Sequence, residues 1–376
     1  MSVREMLLQL TKLGCEVGIV GATVCDDPVG LSHVQDQIAA ARQNSFTLQD
    51  GPLTHNLVRT VSPRSKDMRL EELNALHVLY RKALKQFEPD LVWFYGGNCF
   101  DYLIPDEARR RGLPVAAYLA NGNFTSTRWC EDVDLIVTNS EATRALYRKR
   151  LGIDCEVMGT FVPPERFVAE AHARTHLTFV NPRLAKGAGI VAQVAMSLER
   201  SRPDIPIEVV ESRGRWEEVL RSTSRVLGQE RETLGNVTVT PHTNDMRQVY
   251  GRSRVVLMPS LWWESSGRVV IEAMLNGIPA IVSDHGGMAE MMGEAGAKIS
   301  FPPPFRKAPY RKLLPTASVE AICDLVIRFF DDREYYEDLA RKAEAVARRR
   351  HDITRNARDL RHRLQRLAEA GRALRA

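Results

Sequence analysis

Two carboxylates, Glu264 and Glu272, are separated by seven residues that include Ser265, Ser266 and Gly267. They lie in the string VVLMPSLWWESSGRVVIEAMLNGIPAIVSDHGGMAE, residues 255–290. An apolar run, Val255–Met258, comes first, and Pro259-Ser260 opens a loop. A helical pattern runs from Gly267 to Asn276-Gly277, and a second apolar run, Ala280–Val282, follows Pro279. Strand, loop, helix, strand is one parallel βαβ unit. Ligands of open α/β sheets bind at the carboxyl ends of the strands, beside helix N-termini. Ser266 or Gly267 is expected to cap the helix, leaving the amides of Gly267, Arg268 and Val269 without intrahelical acceptors. An anionic diphosphate would satisfy them and gain about 0.3–1 kcal/mol from the helix dipole. Gly267 permits close approach of the backbone. Glu272, on the second turn, is suited to accept hydrogen bonds from a ribose diol. Glu264 is suited to accept from sugar hydroxyls or to stabilise positive charge developing on a sugar ring. The plainer alternative is a surface pair of Arg268 with Glu272, four residues on, worth a few tenths of a kcal/mol.

A second cluster is Asn181-Pro182-Arg183-Leu184-Ala185-Lys186-Gly187, between the apolar run Leu177–Val180 and the helical stretch Ile190–Leu198. Arg183 and Lys186 fall at a strand's carboxyl end, where a cation can meet a leaving diphosphate. The alternative is a pair of solvated basic residues in a connecting loop. Glu211–Arg215 follows Ile207–Val210 and reaches the same sheet edge, with its role open. Asp284-His285-Gly286-Gly287 follows the last strand; His285 reads equally as a loop histidine or a ligand contact. Gly96-Gly97-Asn98 and Asn121-Gly122-Asn123 each read as cleft-lining or as plain turns. Trp262 and Trp263 are candidates for stacking on a base or sugar, or for core packing.

The elements that must position these residues alternate between strand-like and helix-like segments, the mark of an α/β fold. In the first half, Glu16–Val24, Leu91–Tyr95, Val115–Leu119 and Leu135–Thr138 read as strands. Val3–Leu13 and Arg69–Gln86 read as helices, and Ser140 is placed to cap another. In the second half, Leu177–Val180, Ile207–Val210, Val237–Val239, Val255–Met258 and Ala280–Val282 read as strands. A hinge is expected near 160–173, giving domains of 1–165 and 166–345 with a basic helical tail at 346–376. Phe301–Pro315 is too rich in proline for a helix or central strand.

A chain of 376 residues, 44% hydrophobic and 26% charged, suggests two domains of ordinary globular composition. No apolar run is long enough to span a membrane, and the first residues lack the apolar core of a signal peptide. The six cysteines show no CxxC spacing and read as reduced thiols; a cytoplasmic location and no metal site are expected. Residues 341–376 hold eleven Arg and one Lys against two Asp and two Glu, a net of +8. With +5 overall, the rest of the chain carries −3. The tail suits an anionic membrane surface, hence a peripheral position at its inner face, or is simply a solvated helix face. No nucleic-acid-binding module accompanies it, and no nucleic acid partner is expected.

Pro259-Ser260, Glu264-x-x-Gly267, Glu272-Ala273-Met274, Gly277-x-Pro279 and Gly286-Gly287-x-x-Glu290, with Lys186-Gly187 upstream, together resemble the donor-site signature of family 4 retaining glycosyltransferases. The likeness covers roughly residues 177–300. It implies a GT-B fold: α/β, with two Rossmann-like domains facing across a cleft and a terminal helix, here Val346–Leu374, crossing back to the first. It implies a metal-independent, retaining hexosyl or related transferase with a nucleotide sugar as co-substrate and no cofactor. Lys186 would neutralise the diphosphate, Glu272 would hold the ribose, and Glu264 with the amides after it would grip the transferred sugar. The acceptor would be a glycan, a lipid-linked compound or a small molecule. Three positions depart from the pattern. The opening strand and glycine-rich loop are not found before Val3–Leu13; Asn181 stands where an arginine is usual, with Arg183 two residues on; and Asn121 lies nearest the place of a first-domain histidine. A GT-B-like nucleotide-sugar-binding or scaffold protein, and a nucleotide-sugar epimerase, are the competing readings.

Overall fold

In a computed structural model, residues 2–25, 34–95 and 99–373 are described. The Gly96-Gly97-Asn98 candidate therefore lies outside the described residues. The chain divides into two compact units. One holds 1–138, 147–161 and 354–376; the other holds 139–146 and 162–353.

The first unit contains β1 (Gly18–Ala22), β2 (Ser45–Asp50), β3 (Leu53–Val58), β4 (Val92–Phe94), β5 (Val115–Leu119), β6 (Leu135–Thr138) and β7 (Glu156–Val157). β4, β5, β6 and β7 form a parallel sheet in that order, with β5 buried along its whole length. β1 pairs in parallel with β3, and β3 pairs antiparallel with β2. The β2–β3 hairpin turns through Gly51-Pro52, with Asp50 opposite Leu53. Sequence reading leaves it unassigned because Thr47, Gln49, Thr54 and Asn56 dilute the apolar signal. Their alternation with Phe46, Leu48 and Leu57 is nevertheless the period of a half-buried strand. The helix Leu70–Phe87 ends where Glu88 turns left-handed, φ +47°, immediately before Pro89.

The second unit contains β8 (His176–Val180), β9 (Ile207–Val210), β10 (Val237–Thr240), β11 (Ser253–Met258), β12 (Ala280–Ser283) and β13 (Gly296–Ile299). All six pair in parallel, in the order β10-β9-β8-β11-β12-β13. Leu177, Phe179, Val255, Val256, Leu257, Ile281 and Val282 are all fully buried. Helices on both faces of a parallel sheet require such continuous apolar runs, which is why these strands are legible. β13 escapes notice because Gly296 and Lys298 interrupt its apolar pattern.

The expected continuous helix at 346–374 is instead two helices, Arg333–Arg350 and Ile353–Ala373, broken at His351-Asp352. His351 is buried, its Nε2 3.1 Å from the Met291 carbonyl oxygen. The last helix returns to the first unit. It buries Asn356, Ala357, Leu360, Leu364, Ala368 and Gly371, three or four residues apart, along one face. Asn356 donates to the Thr160 carbonyl at 2.8 Å, and Gly371 lies against Pro114 so closely that a side chain there would collide. Among the described residues no helix is long and apolar enough to cross a membrane.

Candidate active site

Four neighbouring strands, β9, β8, β11 and β12, end in loops that are bonded to one another. The loop after β8 leads through the tight turn Leu184–Lys186 into the helix Ala188–Ser201. Gly187 makes that junction possible: its φ is +81°, and any Cβ would strike the Pro259 carbonyl oxygen. The amides of Leu261 and Trp262 both reach the Ala185 carbonyl at 3.0 Å, joining the β11 loop to the β8 loop. Glu264 then forms an isolated parallel bridge with Gly286, and the Gly287 amide donates to the Glu264 carbonyl at 2.6 Å. On the other side, Asn181 takes a left-handed φ of +66° and its Oδ1 accepts the Arg213 amide at 3.3 Å. Asn181, at the usual arginine position, thus ties the β8 loop to the β9 loop. The Glu211–Arg215 loop serves local capping: Glu211 accepts the Trp216 amide at 2.8 Å and pairs with Arg215 at 2.7 Å.

This framework brings Lys186 and Glu264 together. Their side chains form an ion pair, 24% and 15% exposed, and Ser260 Oγ lies 3.1 Å from the same Glu264 oxygen. Arg183 is exposed, and its guanidinium has no partner among the described residues. The helix Arg268–Leu275 is capped by Gly267, φ +79°, without a side-chain bond. Ser266 is therefore not its cap; its Oγ instead lies 3.3 Å from Asn139 Nδ2. Val270 already bonds to the Gly267 carbonyl, while Arg268 and Val269 have the amide positions that a first helical turn leaves without intrahelical acceptors.

Glu272 is only 5% exposed. Arg268 pairs with one carboxylate oxygen at 2.6 Å, and the Tyr250 hydroxyl donates to the other at 2.7 Å. The Arg268–Glu272 pair is real but is not a surface pair, since Glu272 is buried in the core. Arg268 also lies over the Phe167 ring at 4.9 Å. Burial raises the Glu272 carboxyl above its ordinary range, opposed by Arg268 and Tyr250. Tyr250 is itself raised by burial and by Glu272. Tyr250 escapes sequence reading because it joins Glu272 from a helix 22 residues upstream. Among the described residues no group of three or more His, Cys, Asp and Glu is arranged to hold a metal ion.

Residues 174–346 match the family model described as "Glycosyl transferases group 1". This stretch, under half of the chain, contains the whole six-stranded sheet and the loops that hold Lys186 and Glu264. A comparison with curated protein sequences finds no match. Among solved structures, the chain is similar to Anabaena HepE in complex with UDP, with TM-score 0.66 and 15% identity over 96% of this chain and 95% of that one. It is similar to sucrose-phosphate synthase from Thermosynechococcus elongatus, with TM-score 0.70 and 15% identity over 98% and 93%. It is also similar to a glycosyltransferase from Rickettsia africae, with TM-score 0.66 and 13% identity over 97% and 94%. At these identities the likeness speaks for the fold, which is α/β of the GT-B type.

The remaining candidates in the matched stretch have defined surroundings. Trp263 meets His285 edge-on at 4.9 Å, and its Nε1 lies 3.4 Å from Thr143 Oγ1. His285 Nδ1 is 3.2 Å from Arg306, whose other nitrogen reaches Asp284 at 3.1 Å. Burial, and then the Arg306 charge, lower the imidazole's pKa and favour its neutral form. Glu290 caps a different element: its two oxygens accept the amides of Glu141 and Ala142 at 2.9 and 2.8 Å. Ser140 caps the same helix by accepting the Thr143 amide at 3.1 Å. In the other unit, Asn121 accepts the Asn123 amide at 2.9 Å, the bond of an Asx turn.

Gly287 shows how tightly the loops are set. A Cβ there would collide with the Ser265 carbonyl oxygen and approach Ser140 Oγ at 2.9 Å. The first obstacle is backbone and the second, Ser140 Oγ, is bonded to the Thr143 hydroxyl and amide, so the backbone must shift. Gly287→Ala is expected to cost about 1–3 kcal/mol, the usual penalty of overpacking. The melting temperature should fall by several degrees; a variant that melts with the wild type would show that the loops give way.

Proposed function

We propose that this protein is a metal-independent, retaining glycosyltransferase that moves a sugar from a nucleotide sugar to a glycan, lipid-linked or small-molecule acceptor. The observation that carries the reading is the placement of Lys186 and Glu264 at adjoining strand ends, beside the first turn of Arg268–Leu275. The family match at 174–346 supports it. So do GT-B neighbours, one in complex with UDP.

In this reading the diphosphate displaces the Glu264 carboxylate as partner of Lys186. Arg183 and the amides of Gly267, Arg268 and Val269 add to its binding, and Ser266 binds substrate on the side of the transferred sugar. The released Glu264 carboxylate then faces the transferred sugar. It accepts from hydroxyl groups and stabilises positive charge on the ring as the leaving bond lengthens. Catalysis rests on positioned charge at the leaving group. Glu272 is proposed to hold the ribose through lone pairs left after Arg268 and Tyr250 are served. The first unit is proposed to receive the acceptor, and the basic last helix to favour an anionic membrane surface.

The test is thermal denaturation with a panel of UDP-, GDP- and ADP-sugars, followed by assay of acceptor-dependent diphosphate release. A cognate donor at a hundredfold excess over its Kd should stabilise the binding unit by about 2.7 kcal/mol. The product's anomeric configuration, read by NMR, should match the donor's. If no donor shifts the melt, the reading fails; if one shifts it without acceptor-dependent release, the protein binds nucleotide sugars but does not transfer them.

A further inference from the structure

Residues 139–146 follow directly on β6 in sequence, yet they belong to the second unit. Successive residues of this segment are fixed there by several residues in and beside the candidate site. Asn139 meets Ser266, Ser140 Oγ lies where a side chain on Gly287 would strike it, and Thr143 meets Trp263. The amides of Glu141 and Ala142 are held by Glu290. Asn139 is therefore set rigidly against the loop that carries Glu264, Ser266 and Gly267.

Asn139 is nine-tenths buried, with 6% of its surface exposed. Its Nδ2 is 3.3 Å from Ser266 Oγ, while its Oδ1 has no hydrogen-bond partner among the described residues. The two ends of an asparagine amide are assigned from their neighbours. Turning the amide over would place Oδ1 against the serine hydroxyl and leave Nδ2 unpartnered instead. Either way one end of a buried amide is unmatched, and buried polar groups as a rule have partners. A group that both donates and accepts would complete it in either orientation, and a hydroxyl does both.

We propose that Asn139 is a specificity-determining residue of the donor site, its amide binding a hydroxyl of the sugar being transferred. This rests on the reading of the site as a nucleotide-sugar site. Ser266 is two residues beyond Glu264 and one before the helix cap Gly267. A sugar held by Glu264 thus brings its hydroxyls to the stretch that Asn139 adjoins. Rigid placement by Glu290, Thr143 and Ser140 gives such a contact discriminating power, because the amide cannot follow a hydroxyl of different stereochemistry.

The experiment is calorimetric titration of the wild type, Asn139→Ala and Asn139→Asp with UDP, GDP and ADP and with their glucose, N-acetylglucosamine and mannose conjugates, without acceptor. For the best-bound pair, Asn139→Ala should leave the diphosphate Kd within about twofold and weaken the sugar nucleotide about tenfold. Asn139→Asp keeps the shape and an acceptor, so it should keep the affinity if the hydroxyl donates and lose it if the amide donates. Asn139→Ser replaces the alanine variant should that fail to fold. Equal losses for both ligands would make Asn139 structural, and no loss for either would remove it from the site. An unchanged donor affinity with a raised KM for acceptor would assign the hydroxyl to the acceptor and overturn the proposal. Failure of every diphosphate and sugar nucleotide to bind the wild type would instead remove the underlying reading, and the inference with it.

Discussion

Replacing Lys186 with alanine is expected to lower kcat/KM by about 10²–10³-fold, the usual loss when one preorganised charge-stabilising group is removed. The fold should be nearly untouched. Lys186 ends a short turn whose geometry is set by Gly187 and by backbone bonds, none of which uses the ammonium group. Its ion pair with Glu264 is partly exposed, and such pairs contribute about 0–1 kcal/mol. The chemistry is a different matter. Without Lys186 the diphosphate loses its cation and also meets Glu264 with no counter-charge. Diphosphate affinity and turnover should therefore fall together, with the melting temperature within a degree or two of wild type. Glu264→Gln separates the two effects: it frees Lys186 and should keep diphosphate binding while lowering turnover. Steady-state diphosphate release alongside thermal denaturation reads both variants. A Lys186→Ala enzyme with kcat/KM within a few-fold of wild type would remove the lysine from the mechanism.

The site was legible in sequence where local rules apply. The apolar runs of β8, β11 and β12 and the loops after them follow from strand and turn chemistry alone. They fix Lys186, Glu264 and Gly267 near one sheet edge. Local rules do not say which charged groups meet across loops. Lys186 and Glu264 are 78 residues apart, and their ion pair depends on the stitching of Ala185 to Leu261 and Trp262. Glu290 was visible as part of a pattern, but its task, capping a helix 149 residues earlier, is purely tertiary. Asn139 carried only the signal of a polar residue at a strand's carboxyl end.

The fold shows the same division. Fully buried parallel strands such as β5 and β11 announce themselves as unbroken apolar runs. The half-exposed β2–β3 hairpin and the two-residue β7 do not. The break at His351-Asp352 was hidden because neither residue is a proline or glycine. Its cause is the burial of His351 against the Met291 carbonyl, which an arginine-rich periodicity cannot reveal.

Glu272 is the residue for which substitution should cost most in stability. Glu272→Ala would strand the Arg268 guanidinium and the fully buried Tyr250 hydroxyl together. Breaking a buried pair by removing one partner costs about 3–5 kcal/mol. At about 2–4 °C per kcal/mol for a unit of this size, the melting temperature should fall on the order of 10 °C. Glu272→Gln keeps the shape and an acceptor for Tyr250, and its effect on stability should depend on pH. Burial raises the wild-type carboxyl, so the folded protein holds that proton more tightly than the unfolded chain. The contribution is fully present below the unfolded pKa and is lost as pH rises through the raised folded one. Glutamine mimics the protonated form at every pH. The two proteins should therefore melt alike in acid, and the glutamine variant should gain on wild type as pH approaches neutrality. Denaturation across that range decides it: a difference that does not change with pH would mean the carboxyl is not raised. Diphosphate binding reads the second role. If Glu272 holds the ribose, Glu272→Gln should weaken nucleoside diphosphates about tenfold, the cost of exchanging a charged acceptor for a neutral one. If affinity is unchanged, Glu272 is a core residue whose charge serves Arg268 and Tyr250 alone.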